Sequence, residues 1–218
     1  MTTLVIDVGG NNVKLRREGD QERRKTPSGA DYRPEQLIED VARLTQDWTF
    51  TRISMGCPGP VADNRIVRPL VNLGPGWTEF DFSAAFGKPV RMVNDAVMQA
   101  IGSYNGGKML FLGLGTGLGN TLIVDGTVIG MELGHLPYRK DRTYEDYVGN
   151  RGLEQRGRPR WEGHVHRVVQ LFREAFVVDD VVLGGGNARK LKKLPEGCRF
   201  GDNDNAFIGG FRLWDDQA

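Results

Sequence analysis

The sequence predicts an α/β fold of two related lobes with a cleft between them. Three observations carry that reading. The chain has 218 residues, enough for one sizeable core or for two lobes of about 100 residues each. Glycine is the one compositional anomaly, with 30 residues gathered in tight clusters at the ends of apolar runs, roughly twice the usual share. Each half opens with the same pattern of apolar strand, glycine turn and hairpin.

In the first half, Thr3 to Val8 is a short apolar run ending in Gly9-Gly10, a buried strand feeding a tight turn. Val13 to Arg17 and Arg23 to Thr26 follow as strands around Gly19-Asp20. Pro34 opens a helix whose Leu37, Ile38, Val41, Leu44 and Trp48 share one face. Arg52 to Cys57 is a strand stopped by Pro58-Gly59-Pro60, and a Pro/Gly-rich loop runs from Asp63 to Trp77. A short helix near Ser83 leads to a strand, Val90 to Val93, and then to a helix with Val97, Ala100, Ile101 and Tyr104 on one side.

The second half repeats the order. Met109 to Leu114 is a strand, and Asn120 to Val124 pairs with Thr127 to Gly130 around Asp125-Gly126. A charged stretch reaches Arg160, and Trp161, Val165, Val168, Val169, Phe172 and Phe176 then mark a helix. His164 and His166 on it read as surface residues. Asp180 to Leu183 is a strand stopping at Gly184-Gly185-Gly186, with a helix expected from Asn187. The lobe boundary is expected near Gly106-Gly107, giving lobes over 1–106 and 107–218.

Charge and composition exclude several classes. Lys and Arg total 29 against 28 Asp and Glu, a net charge of +1, without the basic excess of a nucleic-acid or membrane-surface binder. No apolar run approaches the ~20 residues that span a bilayer, and the start MTTLVIDVGG lacks a signal-peptide pattern. Two cysteines, Cys57 and Cys198, are too few for a disulfide framework or a structural zinc. A cytoplasmic protein is expected.

Three glycine turns are candidate phosphate holders. Asp7-Val8-Gly9-Gly10-Asn11-Asn12-Val13-Lys14 lies between two strands, which excludes the Rossmann and Walker A loops, since both open a helix. Such a turn is either a tight hairpin or a nest of N–H groups for an anion, with Asp7 placed to hold hydrated Mg²⁺. Gly113 to Gly119, including Gly115, Thr116 and Gly117, has the same setting in the second half. Gly184, Gly185 and Gly186 form the third turn, where the helix expected from Asn187 would favour an anion. Asn94-Asp95 ends a strand and opens a helix. Asp95 there either caps the helix or accepts a proton from an attacking alcohol. Glu132 and His135, in Glu-Leu-Gly-His, share a turn that suits sugar hydroxyls better than a metal, the other reading being a salt-bridged Glu beside a surface His.

These motifs together resemble the ROK sugar kinases of the actin–hexokinase–Hsp70 superfamily, in family order from Leu4 to about Gly210. Asp7-Val8-Gly9-Gly10 with Lys14 and the Gly113–Gly119 run are similar to the two phosphate motifs, and Leu183 to Gly186 to the donor motif. Gly56-Cys57-Pro58-Gly59-Pro60, Asn72-Leu73 with Trp77, Asn94-Asp95-Ala96 and Glu132-Leu133-Gly134-His135 are similar to the remaining family motifs. Within the family the chain looks most like the polyphosphate glucokinases.

The resemblance implies two ribonuclease-H-like lobes and a hexose kinase using ATP or polyphosphate with Mg²⁺. It implies Asp95 as general base and Asn72, Asn94, Glu132 and His135 at the sugar. A further sugar-binding Glu is implied, with Glu145 preferred over Glu154. A homodimer binding a small sugar and a phosphoryl donor, and no nucleic acid or membrane, is expected. Many relatives hold a structural zinc through that His and three cysteines. This chain has no cysteine between Cys57 and Cys198, so no zinc is expected. Asn11 stands where the family uses a small Thr or Ser. The chain starts at the first phosphate strand, so the DNA-binding segment of the family's repressors is not expected. The competing expectation is a weakly catalytic sugar-binding or regulatory protein.

Overall fold

The computed structural model describes residues 1–70, 72–202 and 204–215. The described residues form two compact units, Met1–Met98 together with residues 206–215, and Gln99–Asn205.

In the first unit, β1 (Thr3–Val8), β2 (Asn12–Arg17) and β3 (Arg24–Pro27) form an antiparallel meander. Helix α1 (Pro34–Leu44) has proline at its first position, and the Gln36 side chain accepts the Arg33 N–H at 2.8 Å. Trp48 lies past the end of α1 yet is buried in the same core. β4 (Arg52–Cys57) runs parallel to β1, and β5 (Val61–Ala62) and β6 (Arg65–Ile66) form a small hairpin. After α2 (Phe82–Phe86), β7 (Val90–Asn94) runs parallel to β4, giving the order β3-β2-β1-β4-β7. Then comes α3 (Asp95–Ser103). Its buried side is carried by Ala96, Met98, Ala100 and Ile101, while Val97 and Tyr104, expected on that side, are partly exposed.

In the second unit, β8 (Lys108–Leu114), β9 (Leu118–Val124) and β10 (Thr127–Met131) form the matching meander. Asp125 and Gly126 turn its second hairpin with φ of 48° and 86°, the signs a tight two-residue turn requires. β11 (Pro137–Arg139) and β12 (Arg142–Thr143) make a short hairpin before α4 (Glu145–Val148) and α5 (Asn150–Phe176). β13 (Asp180–Gly184) and β14 (Cys198–Phe200) complete a sheet of order β10-β9-β8-β13-β14, with β8, β13 and β14 parallel. The two sheets therefore share one topology, and the repeat read from the sequence is real at the level of strand order.

Four expectations need correction. Helix α5 begins at Asn150, well before Trp161, because the chain breaks at Gly157 (φ 70°, ψ 160°) and restarts at Pro159. That break hides the first stretch from a periodicity search. No helix follows Asn187, only a three-residue 3₁₀ turn, Ala188–Lys190. The Lys192 and Lys193 N–H groups point at α5, donating to Glu162 Oε1 at 2.9 and 3.0 Å. His164 and His166 are partly buried, with His164 Nδ1 3.3 Å from the Tyr138 hydroxyl and His166 Nε2 3.0 Å from the Lys193 carbonyl. Last, α6 (Asn205–Arg212) belongs with the first unit, where Ala206 and Phe207 join Val5 and Met98 in an apolar cluster. Val5 points opposite to Leu4 and Ile6, so both faces of β1 are covered. Among the described residues, no helix is long and apolar enough to cross a membrane.

Candidate active site

The parallel register of the first sheet gathers the first set of candidate residues. Asp7 on β1 is level with Gly56 on β4, and Cys57 on β4 is level with Asn94 on β7. Asp7, Cys57 and Asn94-Asp95 thus share the carboxyl ends of neighbouring parallel strands, the edge where open α/β sheets bind ligands. Gly56 makes the approach of α3 possible, since a Cβ there would run into the Met98 side chain and sit 3.6 Å from Asp95 Cα. Burial, then the charges of Asp95 and Asp7, push the enclosed Cys57 thiol far up, so it is inert.

Asn94 and Asp95 divide two roles. Asn94 Oδ1 accepts the Ala96 N–H at 2.8 Å, the bond of an N-cap, and Asn94 Nδ2 donates to the Gly59 carbonyl at 3.0 Å. Asp95 Oδ1 also lies 2.8 Å from the Ala96 nitrogen. Asp95 follows the cap as the first helical residue, so a carboxylate at position 95 is not required to start α3.

The turn after β1 is fixed by its own backbone. The Gly9 N–H donates to the Asn12 carbonyl at 3.0 Å, and Ser28 donates to the carbonyls of Gly9 and Asn11 at 2.6 and 3.0 Å. The Asn11 and Asn12 side chains are exposed. A Cβ on Gly10 would lie 2.9 Å from Asn72 Cβ, so glycine lets the Asn72 loop rest on this turn. Trp77, from the same loop, is buried and donates to the Tyr32 carbonyl at 3.2 Å. It anchors the loop.

Lys14 Nζ lies 3.4 Å from Asp7 Oδ2, across a register that pairs the two residues. Burial raises the Asp7 pKa, against the lowering pull of Lys14. The Asp7 side chain keeps 16% of its surface exposed, and one accessible carboxylate suits Mg²⁺, which retains most of its waters. Among the described residues, no group of three or more His, Cys, Asp or Glu is arranged to hold a metal ion.

In the second unit, Glu132, His135 and Glu145 form one cluster. His135 Nδ1 is 3.8 Å from Glu132 Oε2, and His135 Nε2 is 3.8 Å from Glu145 Oε2. The turn carrying the first two is a short 3₁₀ helix, Leu133–His135, held by Asn120 Oδ1 accepting the Leu133 N–H at 3.1 Å. A Cβ on Gly117 would strike Glu145 Oε2, and one on Gly134 would lie 3.4 Å from it. The second glycine turn is therefore shaped to admit Glu145, while Glu154 stands exposed on α5.

The third glycine turn is knitted to the second. Gly185, at φ 79°, passes against the Leu114 backbone where any Cβ would collide. Asn187 donates from its backbone to the Leu114 carbonyl at 2.9 Å, and from Nδ2 to the Gly115 carbonyl at 3.2 Å and Asn150 Oδ1 at 2.6 Å. Thr116 and Gly186 are exposed at the surface of this assembly, and Gly184 packs on Phe111. Sequence reasoning missed Asn120, Asn150 and Asn187. The available signal was a Gly-Asn pair at all three positions. A separate groove of about 790 Å³, lined in part by Arg173, Asp179 and Glu196, lies at the amino ends of β8 and β13, away from the glycine turns.

Two sheets of one topology, with glycine turns and carboxylates at strand ends, define a mixed α/β protein. The chain belongs to the ROK family, whose model matches residues 3–167. A polyphosphate glucokinase from Mycobacterium tuberculosis is 27% identical over 221 residues, covering 86% of this chain and 78% of the relative. An N-acetylmannosamine kinase from Citrobacter koseri is 30% identical over 156 residues, covering 62% of this chain and 53% of that relative. The fold matches the crystal structure of the inorganic polyphosphate/ATP-glucomannokinase from Arthrobacter sp. strain KM, with a TM-score of 0.81, 21% identity and 96% coverage of each chain.

Proposed function

We propose that this chain is a hexose kinase that transfers a phosphoryl group from polyphosphate, ATP or both to the 6-hydroxyl of glucose or a related sugar. The observation that carries the reading is that Asp7 on β1 and Asn94-Asp95 at the end of β7 stand at the carboxyl ends of parallel strands on either side of β4. Membership of the ROK family and the kinases among its relatives support it.

In this reading Asp95 accepts the proton of the sugar 6-hydroxyl as that oxygen bonds to phosphorus. The bond from the same phosphorus to the donor's bridging oxygen breaks, and the departing phosphate keeps the electron pair. Asn72, Asn94, Glu132, His135 and Glu145 hold the sugar. Gly9, Gly10, Asn11, Asn12 and Lys14 of the first unit, and Gly115, Thr116, Gly117 and Gly184 to Gly186 of the second, are the residues assigned to the donor phosphates. Asp7 would hold hydrated Mg²⁺, which would supply positive charge to the donor phosphates. Positioning and charge neutralisation supply most of the acceleration. The reading includes a cytoplasmic homodimer.

A coupled assay for hexose 6-phosphate, with glucose, mannose and N-acylated amino sugars against ATP and polyphosphate, tests it. Turnover of at least one hexose is expected. Hexose binding without turnover favours the sugar-binding or regulatory alternative.

A further inference from the structure

The segment between Glu132 and Gly149 is held by aromatic rings. Tyr138, three residues after His135, stacks on Tyr144, one residue before Glu145, with centroids 4.8 Å apart. Tyr147 meets Tyr138 edge-on at 5.1 Å, and Tyr144 packs on Phe172 of α5 at 4.8 Å. His164 of α5 completes the group. Its ring lies 4.7 Å from Tyr147 and 5.9 Å from Tyr138, and its Nδ1 is 3.3 Å from the Tyr138 hydroxyl. Within this cluster, His164 is the partner that ties Tyr138, and with it the turn of His135, to the long helix.

We propose that His164 is a positioning residue for the sugar-binding face, fixing through Tyr138 and Tyr147 the two turns that present His135 and Glu145. The inference rests on the hexose-kinase reading for its consequence, though not for the anchoring itself. Partly buried aromatic pairs and hydrogen bonds of this kind restrict the elements they join. A displacement of either turn would separate groups that now stand 3.8 Å apart.

The surroundings favour a neutral ring. The groups facing His164 are Tyr138 and Arg139 on β11, Tyr147 on α4, and Arg156 on α5, whose guanidinium lies 3.9 Å from the Tyr147 centroid. Arg167 adds a further cation near Tyr138. Burial lowers the His164 pKa, and Arg156 and Arg139 lower it further. The unfolded chain therefore binds this proton more readily than the folded one. The arrangement is at full strength above the ordinary value of 6.5 and weakens as pH falls below it.

The test compares wild type with His164→Phe, which keeps an aromatic ring, and His164→Gln, which keeps a partner for Tyr138 but does not titrate. Hydrogen exchange over residues 132–149 is measured with hexose and donor KM from pH 5.5 to 8. His164→Phe is expected to speed exchange in that segment and raise hexose KM roughly threefold to tenfold, the effect of one hydrogen bond. Donor KM should stay within about twofold, since the glycine turns have their own backbone anchors. His164→Gln should keep hexose KM near the wild-type value and lose the rise below pH 6.5 that wild type shows. Unchanged exchange and hexose KM in His164→Phe, or hexose and donor KM rising together, overturns the proposal. Faster exchange in His164→Phe, with no hexose bound by wild type, supports the anchoring and overturns the hexose-kinase reading instead.

Discussion

His135 Nε2 lies 3.8 Å from Glu145 Oε2, joining the turn after β10 to the start of α4 across nine intervening residues of hairpin and turn. The Glu145 carboxylate also occupies the space that Gly117 leaves open. A group that the proposed function assigns to the sugar and a turn that it assigns to phosphate thus share one boundary.

Glu132→Gln, His135→Ala and Glu145→Gln should each raise hexose KM by about tenfold while leaving donor KM within a factor of about two, the size of a hydrogen bond to a charged group. Glu154→Gln should leave both constants unchanged. Steady-state kinetics over both substrates decide it, and an effect of Glu154→Gln equal to that of Glu145→Gln would reverse the assignment.

Gly117→Ala places a methyl where Glu145 Oε2 now stands. Glu145 must move, so hexose KM should rise in this variant although residue 117 belongs to the phosphate turn. A change confined to donor KM would show that Glu145 does not serve the sugar.

Much of the fold around the candidate site is legible from residue order alone. Strand, glycine turn and hairpin recur in both halves because each lobe begins with the same antiparallel meander, and an apolar run stopped by Gly-Gly or Asp-Gly marks it locally. What escaped notice depends on distant contacts. His164 reads as a surface residue because the tyrosines that enclose it are 17 to 26 positions upstream. The first stretch of α5 was masked by Gly157 and Pro159. The Lys192 and Lys193 N–H groups, available for a helix in principle, are taken by Glu162 thirty positions away. The place of α6 follows from the apolar face of β1 that carries Val5, and a continuous apolar strand does not reveal what covers its second face.

Asp7→Asn is expected to trade activity for stability. Burial raises the Asp7 pKa, so the folded chain binds that proton more tightly than the unfolded one. The resulting stabilisation is complete below the ordinary value of 3.8 and is lost as pH rises through the folded value. Near neutral pH the Asn variant should melt higher than wild type by a few degrees, about 1 kcal/mol corresponding to ~2–4 °C for a chain of this size. The gain should vanish in acid, where wild-type Asp7 is protonated, and turnover should be lost because the group assigned to hydrated Mg²⁺ is gone. A melting difference that persists below pH 3.8 would contradict the account.

The donor leaves a salt signature. Of the basic residues in 151–160 and 189–199, Arg151 pairs with Asp146, Arg156 lies over Tyr147, Arg189 over Phe200, and Arg199 pairs with Asp180. Arg158, Arg160, Lys190, Lys192 and Lys193 are exposed. If these carry a long polyanion, polyphosphate-dependent activity should fall more steeply with added salt than ATP-dependent activity, because more counterions are released. Lys192→Gln with Lys193→Gln should raise polyphosphate KM and leave ATP KM unchanged. Equal salt slopes for the two donors would reduce the basic segments to ordinary surface.

The most direct measurement is the turnover of Asp95→Asn beside wild type, on the best hexose and donor, with hexose binding measured separately by titration. Asn94 supplies the N-cap, so the variant should fold and bind hexose as wild type does. Turnover should drop roughly 10²–10⁴-fold, the usual cost of a lost general base. Wild-type turnover in Asp95→Asn, with binding intact, would reduce Asp95 to a helix-start residue and contradict the proposed chemistry.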